Sequence, residues 1–407
     1  MDKQRPACLF GSDLKGKRQK ITKTHTLAPV LSLEDVPVVI PHPNYFAIGS
    51  SDKPAGYFKD KEVLVEYQVR GMEWHLKNIP DDYVPYIMPW HGTGIVPSMF
   101  GAEIHYPDNK ADDPSIKGPC LSSIDDIAKL KVPNPYKDGL MPLVLDIMDY
   151  AVKYTDSPVG LTDMQSPLDC ATLMAGHSNL CLWMYDDPAA VKALFDIITE
   201  TIIVNVKAQK KVTGDSLEEN QGLQGVWAPK GIGIWLSDDD AVLLSPEFYE
   251  QFEVPAVSRI FKTFGKGILH YCGDNTNKLK IFKKIENLAA INTCCMGDFK
   301  LIKDIQEVFE YKLPVIMQES APLDIAYYYD HLFAELKNMN GIISAPWVTE
   351  DIVLKRDGGT TSVFRDPLVA AKEIVARVRR NTKLMLERKS TLLASYPVLP
   401  GDGVKNT

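Results

Sequence analysis

The sequence predicts an α/β protein whose alternating strands and helices close into a (β/α)8 barrel. Short apolar runs alternate with longer amphipathic ones along the chain, which is typical of βα units and a parallel sheet. There are about eight of the short runs, and a chain of 407 residues has room for one large barrel domain. In such a barrel the active site lies at the carboxyl ends of the strands.

The strands are predicted from apolar runs bounded by Gly, Pro or polar residues. One of them has two possible positions, residues 222–227 or 231–235. The candidate strands are residues 37–41, 83–88, 159–163, 222–227 or 231–235, 266–270, 289–294, 314–318 and 341–345.

Helix starts are legible between these strands because a capping side chain precedes a proline at the first helical position. Pro255 lies inside the helix that starts after Ser245, so we expect a break near Val254, and Gly265 predicts where that helix ends. We interpret residues 106–123, rich in Asp, Pro, Lys and Gly, as a surface loop or subdomain. The helix-start pairs are Asp187-Pro188, Ser245-Pro246 and Asp366-Pro367.

We expect three regions: a polar N-terminal arm over residues 1–30, a single barrel domain over 31–395 and a tail over 396–407. The formal net charge of −8 argues against nucleic acid as the main partner. No apolar signal region follows the charged N-terminus, and no window is long enough to span a bilayer, so we expect a cytoplasmic protein. The arm contains a basic run that we interpret as part of a solvated tail: Lys15, Lys17, Arg18, Lys20 and Lys23.

Two strand ends carry candidate metal ligands. His270 and Cys272 follow the apolar run 267–269, and Cys294 and Cys295 close the next candidate strand. Imidazole and thiolate are the usual protein ligands of zinc, and a catalytic zinc needs about three ligands and an open position. The alternative is that these cysteines are ordinary buried thiols, since the seven cysteines follow no fixed ligand spacing.

Other strand ends offer groups for acid–base chemistry. Asp163 and Gln165 end the third strand, where the carboxyl group could hold a substrate or act as a general acid, and a structural Asp is an equal alternative. His91 and His42 are candidate acid–base or substrate-binding groups, with a surface-loop histidine as the alternative. Asp238–Asp240 precede a helix; one acid could reach the barrel mouth, although three in a row are typical of a solvated turn.

Aromatic side chains near strand ends predict a partly apolar substrate pocket, although core packing explains them equally well. Tyr45, Trp90 and Trp235 are the candidate substrate-binding residues among them.

Three segments of the chain, residues 163–176, 244–255 and 269–273, resemble the uroporphyrinogen decarboxylase-like superfamily. The resemblance extends over about residues 60–385 and implies a (β/α)8 barrel. It does not choose between two activities: cofactor-free decarboxylation of uroporphyrinogen, and zinc-dependent methyl transfer to corrinoid proteins. Fold alone does not decide this, so the site residues must.

The decarboxylase branch carries an arginine-rich loop after the first strand, because its substrate has many carboxylates. The corresponding residues 40–47 contain no arginine. The methyltransferase branch carries a His-x-Cys motif at the strand end, which His270 and Cys272 match. Its third thiolate has no counterpart at residues 343–347, so either Cys294, Cys295 or Glu319 completes a zinc site, or the protein has no zinc.

Our hypothesis from the sequence is a methyltransferase that moves a methyl group from a small methylated donor, such as a methyl ether, to a separate corrinoid protein. Zinc would activate the donor, with Asp163, Gln165 and His91 as catalytic groups. The alternatives are a decarboxylase acting on a less carboxylated substrate and a non-catalytic ligand-binding barrel. The sequence leaves open whether the chain forms a homo-oligomer.

Overall fold

The computed structural model describes residues 13–26, 36–41, 53–108, 112–295, 297–318, 320–336, 338–349, 351–356 and 359–387. The longer helices alternate with parallel strands, as predicted. The α-helices are α1 (Asp13–Thr26), α2 (Lys61–Asn78), α3 (Ile95–Met99), α4 (Met141–Tyr154), α5 (Pro167–Ala175), α6 (His177–Asp186), α7 (Pro188–Thr213), α8 (Pro246–Phe248), α9 (Val254–Thr263), α10 (Leu279–Phe282), α11 (Phe299–Val308), α12 (Ile325–Glu335) and α13 (Pro367–Leu386).

Five strands form a continuous parallel sheet in chain order: β3 (Ile234–Ser237), β4 (Gly267–Tyr271), β5 (Leu288–Thr293), β6 (Val315–Met317) and β7 (Ile342–Ser344). Every residue of β3 and β4 is buried, which is typical of a parallel sheet with both faces covered. Of the two candidate positions for the fourth strand, residues 231–235 overlap the observed strand β3 (Ile234–Ser237). The other position, 222–227, forms a turn closed by a bridge between Leu223 and Val226 instead.

Isolated parallel bridges continue the sheet on both sides. Gln165 pairs with Ser237, and Ile87 pairs with Val159, so two further extended segments precede β3. On the other side Val38 pairs with Ser344 of β7. The segments at 38 and 82 are joined by one backbone hydrogen bond, from Asp82 N–H to the Val38 carbonyl at 2.8 Å. The α/β fold is confirmed, and regular closure of the barrel stays a prediction.

The predicted helix caps are present. Asp187 and Asp366 each accept hydrogen bonds from two backbone N–H groups at the starts of α7 and α13, and Ser245 accepts one from Phe248. The predicted break at Pro255 takes the form of a π-helical turn, Tyr249–Glu253, between α8 and α9. A π turn widens the backbone, which lets the chain pass the proline without ending the helix there.

Helix α1 lies in the region expected to be a solvated arm. Its Ile21 is fully buried, and its Lys20 Nζ lies 2.8 Å from Asp82 Oδ2. Arg18 stacks over the Trp227 ring. The basic run is thus partly packed against the barrel because the helix also carries an apolar residue, which corrects the expectation of a free tail. The domain limits at 30 and 395 fall outside the described residues and stay predictions.

Besides the parallel sheet, the described residues form two antiparallel strand pairs. The segment 106–123 includes β2 (Ser115–Ile116), which pairs with β1 (Ile104–His105). After β7 the strands β8 (Asp351–Arg356) and β9 (Gly359–Phe364) form a second hairpin that the sequence did not predict. Within the described ranges, none of the helices combines the length and apolar character needed to cross a membrane.

Candidate functional site

Three potential metal ligands converge at the carboxyl ends of β3 and β4. His270 belongs to β4, Cys272 follows its last residue, and Asp239 begins a 3₁₀ helix (Asp239–Leu243) two residues after β3. Their ligand atoms all lie within 4.8 Å of one another. His270 Nε2 is 3.1 Å from Asp239 Oδ1 and 3.5 Å from Cys272 Sγ. We call these three residues the Asp-His-Cys group.

The neighbouring strand fixes the orientation of His270. Its Nδ1 lies 2.5 Å from Asn292 Oδ1, and Asn292 is its register partner on β5. The Asn292 amide nitrogen donates to the Ile316 carbonyl at 3.0 Å, so its oxygen is the atom that faces the imidazole. Nδ1 therefore carries a hydrogen, and in the neutral ring the lone pair of Nε2 points toward Asp239 and Cys272.

The electrostatics of the group favour positive charge at its centre. Burial alone would lower the pKa of His270, but hydrogen bonds with Asp239 and Cys272 outweigh it and raise that pKa well above its usual value. Burial would raise the pKa of Asp239, and the bond to His270 lowers it instead. His270 is buried and Cys272 is exposed, so the group is anchored on one side and open to solvent on the other.

Asp163 lies beside the group, on the opposite side of β3. Its carboxylate accepts hydrogen bonds from the Gln165 amide and from Ser237 Oγ, the latter at 3.4 Å. Ser237 is the register partner of His270. Burial is the main reason that the pKa of Asp163 rises to about 7, and the negative charge of Asp239 adds to it. An acid with this pKa is suited to proton transfer near neutral pH.

A set of buried acids lies behind Asp239. Asp238 accepts hydrogen bonds from Ser166 Oγ at 3.0 Å and Tyr249 OH at 2.5 Å. Burial raises its pKa to about 7 and raises the pKa values of Asp169 and Glu253 well above their usual range, with charge repulsion among the acids adding to the effect. The run Asp238–Asp240 is thus no solvated turn, because its first residue is fully buried.

Cys294 and Cys295 follow β5, and the structure does not bring either of them into the Asp-His-Cys group. Cys295 is buried, with Sγ 3.6 Å from Tyr328 OH. Cys294 is half-buried and lines a cleft of 330 Å³ together with Gly273, Asp274 and Lys300. Gly273 directly follows Cys272, so this cleft opens beside the loop that leaves the group.

The remaining predicted site residues are elsewhere or outside the described part of the chain. His91 is buried, with its two ring nitrogens 3.1 Å from the Phe58 carbonyl and 3.4 Å from the Pro89 carbonyl, and it is not part of the group. Trp235 is buried in the apolar core and Trp90 packs against it. His42, Tyr45 and Glu319 lie outside the described residues.

The sequence does not single out two residues that belong to the site or contact it, Asp239 and Asn292, nor a buried amide at the end of β6. Asp239 belongs to the acid run from which one carboxylate could reach the barrel mouth, and its position just after a strand is the signal that distinguishes it. Asn292 lies inside a predicted strand, where a lone buried amide calls for a partner. Gln318 follows β6 and is buried, and neither atom of its amide has a hydrogen-bond partner in the described structure.

Comparisons with known proteins agree with the predicted resemblance. Residues 87–218 match the family model described as uroporphyrinogen decarboxylase (URO-D). A methylated-thiol–coenzyme M methyltransferase of Methanosarcina mazei is 26% identical over 249 residues, which span 58% of this chain and 58% of that protein. The superfamily resemblance is therefore confirmed, although the family-model match ends before Asp239 and His270.

A solved structure, a methyltransferase from Methanosarcina mazei, superimposes with a TM-score of 0.61. The superposition covers 89% of this chain and 98% of that chain at 15% sequence identity. At this identity the likeness establishes the fold alone.

Proposed function

We propose that this protein of the uroporphyrinogen decarboxylase-like superfamily is a methyltransferase, which takes a methyl group from a small methylated donor and passes it to a corrinoid on a separate protein. The observation that carries the proposal is the convergence of Asp239, His270 and Cys272 at two neighbouring strand ends. The similarity to a curated methyltransferase supports the same class of reaction.

The Asp-His-Cys group has the properties of a catalytic zinc site. It supplies an oxygen, a nitrogen and a sulfur donor, a set that suits zinc, and three protein ligands leave a position for substrate. Asn292 engages the other ring nitrogen of His270, as is usual for a metal-binding histidine. Bound zinc would supply Lewis-acid polarisation of the donor heteroatom that carries the methyl group.

Asp163 would donate a proton to the donor heteroatom in this reaction. When the methyl group leaves the donor, the carbon–heteroatom bond breaks and its electron pair stays on the heteroatom, which then needs a proton. With a pKa of about 7, raised mainly by burial, Asp163 holds a proton in a large fraction of molecules at neutral pH. The Gln165 amide and the Ser237 hydroxyl keep its carboxyl group in place.

The donor is expected to carry its methyl group on oxygen or sulfur. A methyl ether is the donor expected from the sequence, whereas the curated relative is named for a methylated thiol. The cleft of 330 Å³ beside Cys272 suits a small molecule of either kind. Assaying methyl transfer from methyl ethers and from methylated thiols side by side distinguishes the two donor classes.

The test combines metal analysis with turnover. We expect purified protein to bind about one zinc per chain and to methylate reduced cobalamin, used as a free acceptor, with at least one donor from a panel of methyl ethers and methylated thiols. The Cys181→Ser variant is the control, because Cys181 is half-buried on α6 and outside the group. Zinc-loaded protein that methylates cobalamin from no donor would overturn the proposal. Metal-independent release of CO2 from a carboxylated substrate would support the decarboxylase alternative.

A further inference from the structure

We propose that Asp169 is a positioning residue for the Asp-His-Cys group: its carboxylate holds the turn that follows β3 so that Asp239 faces His270 and Cys272. The inference rests on the proposed metal-dependent function. It concerns a residue whose side chain contacts the backbone of Asp239 rather than the three ligand atoms, and which is not among the site residues predicted from the sequence.

The contacts of Asp169 are made with the backbone of that turn. Its Oδ2 accepts a hydrogen bond from the Asp239 N–H at 2.9 Å, and its Oδ1 accepts one from the Asp240 N–H, also at 2.9 Å. Both oxygens of one carboxylate thus hold two successive amides. These amides belong to the residue whose side chain reaches His270 and to the next residue.

Asp169 is itself held in place. It is the third residue of α5 and is 3% exposed, and its N–H donates to Ser166 Oγ at 3.1 Å. The same Ser166 hydroxyl donates to Asp238, the residue before Asp239. The start of α5 therefore contacts the turn on both sides of Asp239, through Ser166 and through Asp169.

The other end of the turn is fixed to the neighbouring strand. The Asp238 N–H donates to the His270 carbonyl at 2.9 Å. Asp238 is thereby tied to β4, while the direction of the chain after it depends on Asp169. Because β4 holds Asp238 and Asp169 holds the two residues that follow, Asp169 sets where the Asp239 side chain points relative to His270 Nε2.

Only a carboxylate fulfils this role. The surroundings disfavour a negative charge on Asp169, first because the side chain is buried and then because Asp238 and Asp239 lie close by and repel it. An asparagine of the same shape would avoid the repulsion, but it offers one acceptor and one donor, so its NH2 group would face one of the two backbone N–H groups. We infer that the acid is present because its two oxygens bind the two backbone amides of the turn, and not because its charge is stabilised there.

The test is a double-mutant cycle on metal affinity, read by competition with a chelator and by the thiolate-to-metal absorption of the cobalt(II)-substituted protein. We expect Asp169→Asn to weaken zinc binding about 10- to 100-fold, as is typical for residues that support metal ligands. Asp239→Asn should weaken it at least as much. The double variant should be no weaker than Asp239→Asn alone, because Asp169 acts through Asp239.

Asp366→Asn is the matched control, since Asp366 also accepts from two successive backbone amides, at the start of α13. It should bind zinc as the unchanged protein does. If Asp169→Asn does not fold, Asp169→Ser takes its place in the cycle, because the single oxygen on this shorter side chain cannot reproduce contacts that two carboxylate oxygens make. Unchanged zinc affinity in the folded Asp169 variant, or additive losses in the double variant, would overturn the positioning role. Absence of zinc binding in the unchanged protein would instead refute the metal site of the proposed function.

Discussion

His270 Nδ1 donates to Asn292 Oδ1 across the boundary between β4 and β5, and this hydrogen bond leaves Nε2 as the nitrogen that faces Asp239 and Cys272. Removal of the acceptor should let the imidazole rotate and change tautomer. We predict that Asn292→Leu weakens zinc binding about 10- to 100-fold. Asn292→Asp keeps an acceptor for Nδ1 and should bind more tightly than Asn292→Leu. Chelator competition at fixed pH measures both, and equal affinity of the two variants would contradict this account.

Mutation of individual cysteines tests which residues are the ligands of the proposed metal site. We predict that Cys272→Ser abolishes tight zinc binding, because a hydroxyl is a much poorer zinc ligand than a thiolate. Cys294→Ser and Cys295→Ser should each retain one zinc per chain, because neither thiol lies in the Asp-His-Cys group. From the sequence, these two cysteines and Glu319 are the candidates for the third ligand. Elemental analysis of the three purified variants decides between Asp239 and a cysteine.

Asp163 should make the stability of the metal-free protein depend on pH. Its folded pKa of about 7, raised mainly by burial, exceeds the unfolded value of about 3.9, so the folded state binds more protons between these values. The contribution of Asp163 to stability is therefore present below about pH 4 and is lost as pH rises to about 7. We predict that unfolding free energy, measured in urea with a chelator present, falls by about 3 kcal/mol more in the unchanged protein than in Asp163→Asn between pH 5 and pH 8. Parallel pH profiles would disprove the shift.

The packing around Gly267, the first residue of β4, leaves no room for a Cβ atom. A Cβ on Gly267 would lie 2.1 Å from ring atoms of Phe261, which is fully buried. We predict that Gly267→Ala destabilises the protein by about 1–3 kcal/mol, as overpacked cores do. Gly16→Ala in α1 is the control, because among the described residues no atom beyond the chain neighbours and the helix backbone lies within 4 Å of the added Cβ, and it should stabilise the helix by about 0.5–1 kcal/mol. Urea denaturation of both variants is the measurement.

The strand order and the position of His270 were predictable because they follow from patterns local to each segment. Apolar runs and proline-marked helix starts give the βα alternation, and a strand end gives His270 its place at the barrel mouth. Asp239 was not predictable with equal certainty, because the candidate fourth strand ended at 235 whereas β3 ends at Ser237. The two-residue difference moved the acid run from the strand end into an expected loop.

The position of Asp239, the third ligand in the proposed metal site, depends on contacts that the sequence pattern does not reveal. Both β3 and β5 are neighbours of β4, so the residues after either strand were equally close in principle. The choice is made by contacts between distant segments: Asp169 on α5 holds the turn after β3, whereas Cys295 after β5 is buried near Tyr328 of α12. Such tertiary contacts are not encoded in the spacing of ligands along the chain.

The three consecutive acids after β3 have three different environments. Asp238 is buried against Ser166 and Tyr249, Asp239 faces His270, and Asp240 lies 3.2 Å from the exposed His177. Chemically identical neighbours are distinguished only by their order in the turn. A deletion of one residue here would leave a closely similar sequence, yet each carboxylate would inherit the surroundings of its neighbour. Changes of length in this turn should therefore be far less tolerated than the repetitive composition suggests.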